Sequence, residues 1–230
     1  MEDGASPIIF FLGVIQTSLN LPDWKNIIYN WQIFIPIFVV GYVIGSIPFG
    51  LITTKLSGLG DIREIGSGNI GATNVLRTGK VGLALLTLLL DLTKGFTVVF
   101  IAQKYFGPDA TFYVSLFVVL GHMFPIWLKF NGGKGVATFF GVLFALTPTA
   151  AIVVLALWVI VALAFRYSSL AALISVSFAP VFGHFLSDPQ IGSILAILAF
   201  LIWIRHIKNL RNLFKGKERK INISLTSNNT

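Results

Sequence analysis

The segment Gly66-Ser-Gly-Asn-Ile-Gly-Ala-Thr-Asn74 concentrates small and polar residues between Arg63 and Arg77. Gly66, Gly68 and Gly71 allow backbone N–H groups to approach an anion closely. Ser67, Asn69, Thr73 and Asn74 add compact side-chain donors, and Arg77 adds a guanidinium fork. The chemistry expected of such a loop is binding of a phosphate. An ordinary flexible connector is the plain alternative, but so many short donors beside two arginines are uncommon in one. The glycines also satisfy G-x-G-x-x-G, which is a dinucleotide fingerprint only between a strand and a helix. Here an apolar run and a basic loop precede it, and Asp91, about 20 positions on, lies inside another apolar run.

A second element, Phe130-Asn-Gly-Gly-Lys-Gly-Val-Ala-Thr138, sets Lys134 among Gly132, Gly133 and Gly135 just before an apolar stretch. Free N–H groups at a helix start plus an ammonium suit a second anion. A nucleotide P-loop would need Ser or Thr after the lysine, and Gly135 excludes it. The competing reading is a lysine snorkelling at a membrane boundary. The third element, Arg205-His206-Ile-Lys-Asn209 with Gly216 and Glu218 downstream, is weaker alone, because basic residues after a last span usually set topology. His206 is its one residue of general-base type. Asp91 and Lys94 are three apart in an apolar span and are expected to form a structural ion pair facing the interior. His122 reads as buried and hydrogen-bonded, and His184 as structural.

These loops must be positioned by membrane helices. The chain is 55% hydrophobic and 11% charged with mean hydropathy +0.84, far too apolar for a soluble domain. Apolar spans fall at roughly 33–54, 81–102, 111–128, 137–147, 149–165, 170–186 and 190–204, the long run 137–165 being divided at Pro148. The fold class is therefore all-α, a polytopic membrane helix bundle of about seven transmembrane helices. Residues 1–32 form an N-terminal segment, 33–208 the membrane domain and 209–230 a basic tail. The charge of +8 sits at span ends and in the tail, where anionic headgroups attract it, so nucleic acid is not expected as a partner. With seven spans, the loops holding Arg63, Arg77, Lys134 and Arg166 share the cytoplasmic side with the tail. A chain without cysteine has no disulfide or thiolate metal site, and its three histidines lack ligand spacing, so no metal is expected. Glu2 and Asp3 argue against a cleaved signal.

Taken together, Gly66 to Arg77, Gly132 to Thr138, and Arg205-His206 with Asn209, Gly216 and Glu218 resemble the bacterial acyl-phosphate:glycerol-3-phosphate acyltransferase family. The likeness runs from about residue 35 to about 220 and takes in Gly45-Ser46, Asp91 with Lys94-Gly95, Gly121-His122-Met-Phe-Pro125, and Arg166-Tyr167 with Ser169. It implies transfer of a fatty acyl group from acyl phosphate to the 1-hydroxyl of glycerol 3-phosphate, giving lysophosphatidic acid and phosphate for phospholipid biosynthesis, without cofactor or metal. By carry-over, Ser67, Arg77, Lys134, His206 and Asn209 are catalytic. Gly66, Gly68, Asn69, Gly71, Thr73, Asn74, Gly132, Gly133, Gly135 and Ser169 bind substrate. Ile207 and Lys208 stand where the family commonly has an Arg-Glu pair. The resemblance further implies the bacterial inner membrane, a site facing the cytoplasm, and membrane lipid and the acyl-phosphate-making enzyme as partners. Whether His206 or the donor's phosphate serves as base stays open. A small-anion transporter or channel is the competing function, but the polar loops fall at span ends and no two-fold internal repeat is evident.

Overall fold

The computed structural model describes residues 7–221, with side chains from residue 13, and contains twelve α-helices among them. They are α1 Pro7–Ser18, α2 Trp24–Tyr29, α3 Trp31–Gly45, α4 Phe49–Leu56, α5 Ala72–Leu76, α6 Val81–Tyr105, α7 Gly107–Met123, α8 Val136–Leu146, α9 Pro148–Phe165, α10 Ser168–Leu186, α11 Pro189–Arg205 and α12 Ile207–Phe214. Five stretches are long and apolar enough to cross a membrane: Trp31–Leu56, α6, Gly107–Leu128, α9 and α10. The α11–α12 pair qualifies as a sixth, bent by 60°, and α8 is a shorter apolar helix. The result agrees with a bundle of about seven spans.

Proline decides where the apolar runs break, because it supplies no N–H and clashes with the preceding turn. Pro148 starts α9 at its first position and divides 137–165 as expected. Pro48 interrupts the span expected at 33–54, leaving Ser46–Pro48 between α3 and α4. The span expected at 111–128 begins earlier, because α7 starts at Gly107 with Pro108 in its first turn, and its helix stops at Met123 before Pro125. Of the segment 1–32, residues 7–18, 24–29 and 31–32 are helical, so the boundary drawn after residue 32 falls inside α3, and residues 1–6 lie outside the described residues. The boundary drawn at 208 falls inside α12, and the tail beyond 221 also lies outside them.

In lipid the solvent is as apolar as leucine, so helices associate by close contact at small residues and present large apolar side chains outward. Ile160, Leu163 and Phe200 face outward in this way. At the crossings glycine replaces bulk. A Cβ on Gly121 would meet Tyr42 O, and one on Gly45 would meet Val118 O, which brings α3 and α7 into antiparallel contact. Gly95 lies against Thr138 O, and Gly141 against Leu92 O, which brings the start of α8 against the middle of α6.

That last pairing sets the depth of the second loop. Gly95 is fourteen residues into α6, about 21 Å along its axis. The first turn of α8 therefore sits well inside the bundle, not at the level where α6 begins. With 11 residues, α8 covers only about 16 Å, half of a hydrocarbon core of about 30 Å. The chain between α7 and α8 must dip inward to meet it.

Candidate active site

Asn74 organises the first loop. Its carboxamide is buried and donates to Ile62 O at 3.0 Å and Ile65 O at 2.9 Å, while its Oδ1 accepts from Ser67 N at 2.9 Å and Ser67 Oγ at 3.2 Å. Wrapping backbone this tightly about one side chain requires left-handed turns at Gly66 (φ +62°) and Gly68 (φ +72°). Asn69 closes the next turn by accepting from Gly71 N at 2.9 Å, and the Thr73 hydroxyl is bonded to Ser168 Oγ at 3.1 Å. These polar side chains thus spend their hydrogen bonds on shaping the loop. Arg77, which follows α5, keeps most of its donors: its NH1 makes one long bond, 3.3 Å, to Asn74 Oδ1. Burial and nearby Arg219 lower its pKa, and Glu218 opposes them. A guanidinium stays charged at neutral pH regardless.

The second loop is clamped from two sides. Gly132 N donates to Met123 O at 3.1 Å and Gly133 N to His122 O at 3.0 Å. Arg205 reaches across from α11, its NH2 donating to Gly132 O at 2.8 Å and its Nε to Gly133 O at 3.1 Å. The N–H groups of Gly132 and Gly133 are consequently occupied, so these glycines contribute close packing, whereas the expected anion donors shift one step along the chain. Gly135, at φ +86°, turns the backbone into α8, which has no side-chain cap. The first helical N–H groups of α8 lack intrahelical partners, and Lys134 stands beside them.

Lys134 is half-buried, and burial lowers its pKa to about 8; Arg77, Arg205 and Lys208 push the same way and only Glu218 opposes. The folded protein thus holds an ammonium where its own charges disfavour one. Only the charged form can neutralise a phosphate. Turnover at subsaturating anionic substrate should accordingly hold steady below pH 8 and fall as pH rises through it. Lys134→Arg should remove that alkaline limb along with part of the activity, and kcat/KM measured from pH 6 to 10 checks both.

Glu218 gathers the third element. Its Oε1 accepts from Asn209 Nδ2 at 2.6 Å and from Ser169 Oγ at 2.7 Å, fastening α12 and the start of α10 to the tail. Asn209 and Ser169 are therefore held in place by the carboxylate, with the Asn209 carbonyl oxygen left over. Arg166 NH2 adds a bond to Ile221 O at 3.2 Å. His206 is buried, 2% exposed, and its Nδ1 lies 2.8 Å from Ile202 O. Burial, with Lys134 adding to it, lowers its pKa to about 4. At neutral pH the ring is uncharged, Nδ1–H donates to Ile202 O, and the lone pair is on Nε2.

All three elements meet at one end of the bundle, as the Thr73–Ser168, Ser169–Glu218 and Arg205–Gly133 bonds require. Asn26 Nδ2 donates to Asp109 at 2.7 Å at the opposite end. Arg77, Arg205 and Lys208 are all close enough to act on Lys134, and Glu218 is the carboxylate that opposes them. Arg205 was expected only to set topology, and its clamp on the glycine loop is the main functional contact the sequence does not show. It continues the buried stripe Leu195, Leu198, Ile202 at spacings of three and four. α11 is apolar on every side, so no periodicity singles that stripe out.

The chain matches the glycerol-3-phosphate acyltransferase family model over residues 35–216. The glycerol-3-phosphate acyltransferase of Mesorhizobium japonicum is 51% identical over 183 residues, covering 80% of this chain and 93% of that protein. The Bartonella henselae protein of the same name is 52% identical over 191 residues, covering 80% and 90%. Among solved structures, PlsY, an integral membrane glycerol 3-phosphate acyltransferase, superposes in its glycerol 3-phosphate form with a TM-score of 0.78 at 37% identity, covering 82% of this chain and 95% of that one. Its lysophosphatidic acid form superposes with a TM-score of 0.76 at 36% identity.

Proposed function

Because the chain belongs to the glycerol-3-phosphate acyltransferase family, we propose that this membrane enzyme moves a fatty acyl group from acyl phosphate to the 1-hydroxyl of glycerol 3-phosphate, giving lysophosphatidic acid and inorganic phosphate. The observation that carries the reading is the environment of Lys134. A half-buried ammonium faces Arg77, Arg205 and Lys208 with one opposing carboxylate, Glu218, and such an arrangement calls for an anionic ligand. Both substrates of the proposed reaction bring a phosphate to it.

An acyl phosphate is already an activated anhydride, so the protein has mainly to align the reactants and stabilise charge on the leaving group. The acceptor oxygen attacks the acyl carbon, the acyl C–O bond breaks, and phosphate leaves with the electron pair. Arg77, with its free donors, is assigned to the donor phosphate and Lys134 with the start of α8 to glycerol phosphate. Ser67, Asn74 and the flanking glycines fix the shape that presents Arg77. His206, with a pKa of about 4, is a weak base. We assign its Nε2 to orienting the acceptor hydroxyl, the proton passing to the departing phosphate. Asn209 and Ser169 act through Glu218, which sits beside both cations.

The concentration of Arg63, Arg77, Lys134, Arg166 and the tail at one end of the bundle supports a cytoplasmic site in the bacterial inner membrane, since Lys and Arg favour that side. The acyl chain then lies among the helices while both phosphates stay at the water-facing end. Purified protein given radiolabelled glycerol 3-phosphate should form lysophosphatidate from acyl phosphate and not from acyl-CoA of the same chain length, as the site offers anion loops without a nucleotide-binding module. Efficient product formation from acyl-CoA would overturn the donor assignment.

A further inference from the structure

Beneath the second loop lies a buried charged cluster that the proposed chemistry does not use. Lys94 Nζ, on α6, lies 2.7 Å from Asp91 Oδ1, 2.9 Å from Ile47 O and 2.9 Å from His122 Nδ1. An ammonium has three donors and no acceptor, so these three partners satisfy it completely and His122 Nδ1 must accept. The ring proton then sits on Nε2. Lys94 and Asp91 are one turn apart and could pair alone to settle their charges. Two further partners come from other elements, namely a carbonyl at the Ser46–Pro48 break and the His122 ring near the end of α7. Charges at this depth are expensive unless paired, and the cluster is closed in this respect.

What the cluster supports is the glycine loop. His122 touches Gly133 twice: its carbonyl accepts from Gly133 N at 3.0 Å, and a Cβ built on Gly133 would fall directly on His122 Nε2 and crowd both adjacent ring carbons. Arg205 holds the same peptide from the other side. Gly133 is thus pressed between a ring fixed by Lys94 and a guanidinium, and Lys134 is the next residue. We infer that His122, locked by Lys94 and Asp91, is a positioning residue that fixes the depth and direction of Lys134. This rests on the reading of Lys134 as the ammonium that meets substrate phosphate. The ring's fixed orientation explains why the cluster recruits His122 rather than closing on the ion pair. A ring free to rotate would let the loop settle, and a lysine displaced by about 1 Å loses on the order of a hundredfold in rate.

The test is a double-mutant cycle on the full-length protein in detergent or nanodiscs. It reads kcat, KM for glycerol 3-phosphate, the alkaline pK of kcat/KM and the thermal midpoint. Gly133→Ala drives a methyl into the ring and should lower kcat/KM by on the order of a hundredfold. His122→Ala should raise KM by about tenfold and move the alkaline pK while the protein stays folded. The double variant, with the ring gone and space for the methyl, should regain about tenfold over Gly133→Ala alone. Losses that simply multiply, or a His122→Ala variant with lowered thermal midpoint but unchanged KM and alkaline pK, would reduce His122 to a structural residue. If His122→Ala does not fold, His122→Asn, which retains an acceptor for Lys94 and withdraws from Gly133, carries the same comparison. Lys134→Ala in parallel separates the two readings: a silent Lys134→Ala removes the phosphate role, whereas multiplicative losses at 122 and 133 remove the positioning role.

Discussion

Lys134→Ala should lower kcat/KM for glycerol 3-phosphate by on the order of a hundredfold or more, the cost of removing one charged donor from a site where phosphate charge is held away from bulk water. The same substitution should leave the thermal midpoint at pH 7 unchanged or raised. Folding brings the Lys134 pKa down from 10.5 to about 8, so the folded state binds this proton less readily than the unfolded chain does. The charge therefore opposes folding at neutral pH, and stability should rise between about pH 8 and 10.5, where the folded state has given up the proton that the unfolded chain still holds. Lys134→Arg preserves charge but is bulkier and planar in a slot framed by Gly133 and Gly135, and it should restore activity only in part. Loss of turnover without loss of stability, measured by steady-state kinetics beside a thermal melt, separates a substrate-binding lysine from a snorkelling one, whose removal would leave kinetics nearly normal.

Arg77→Ala should cost about a hundredfold in kcat/KM, or on the order of 3 kcal/mol, with most of the effect in the chemical step. The argument is one of geometry. Arg77 spends one long bond on Asn74, so truncation disturbs the loop little and removes chiefly the fork available to a leaving phosphate. Arg77→Lys keeps the charge and loses the paired donors, so it should fall between wild type and alanine. Asn74→Ala should behave differently. Its carboxamide links Ile62, Ile65, Ser67 and Arg77, and removing it should lower both activity and thermal midpoint. An Arg77→Ala enzyme with unaltered turnover would detach the first loop from the donor phosphate.

Much of this was legible in residue types. The membrane class followed from hydropathy, and the split at Pro148 followed from span length, because no single straight helix of that size fits a bilayer. Glycine spacing singled out both loops that meet at the candidate site, and the Asp91–Lys94 pair was expected to face inward, as it does at 2.7 Å. Less legible was the division of labour within each loop. Asn69, Thr73 and Asn74 look on paper like donors waiting for a ligand, yet in three dimensions Asn69 and Asn74 satisfy the backbone around them and Thr73 pairs with the Ser168 hydroxyl. A nine-residue turn folded around a buried carboxamide needs its own polar groups paired before it can hold anything else. The contacts of Arg205 and Glu218 were hidden for another reason: their partners lie 72 and 49 residues away in sequence at Gly133 and Ser169, and no local spacing encodes such contacts.

The central claim is that an acyl carbon, not a phosphorus atom, is attacked at this site. Acyl phosphate carrying 18O in the oxygen that bridges carbon and phosphorus decides the matter when mass spectrometry follows both products of a reaction with unlabelled glycerol 3-phosphate. Cleavage of the acyl C–O bond sends the bridging label entirely into inorganic phosphate, with one phosphate released per lysophosphatidate and no label in the new ester, and this is the predicted result. Label recovered in free fatty acid together with a phosphorylated acceptor would show phosphoryl transfer instead and contradict the account.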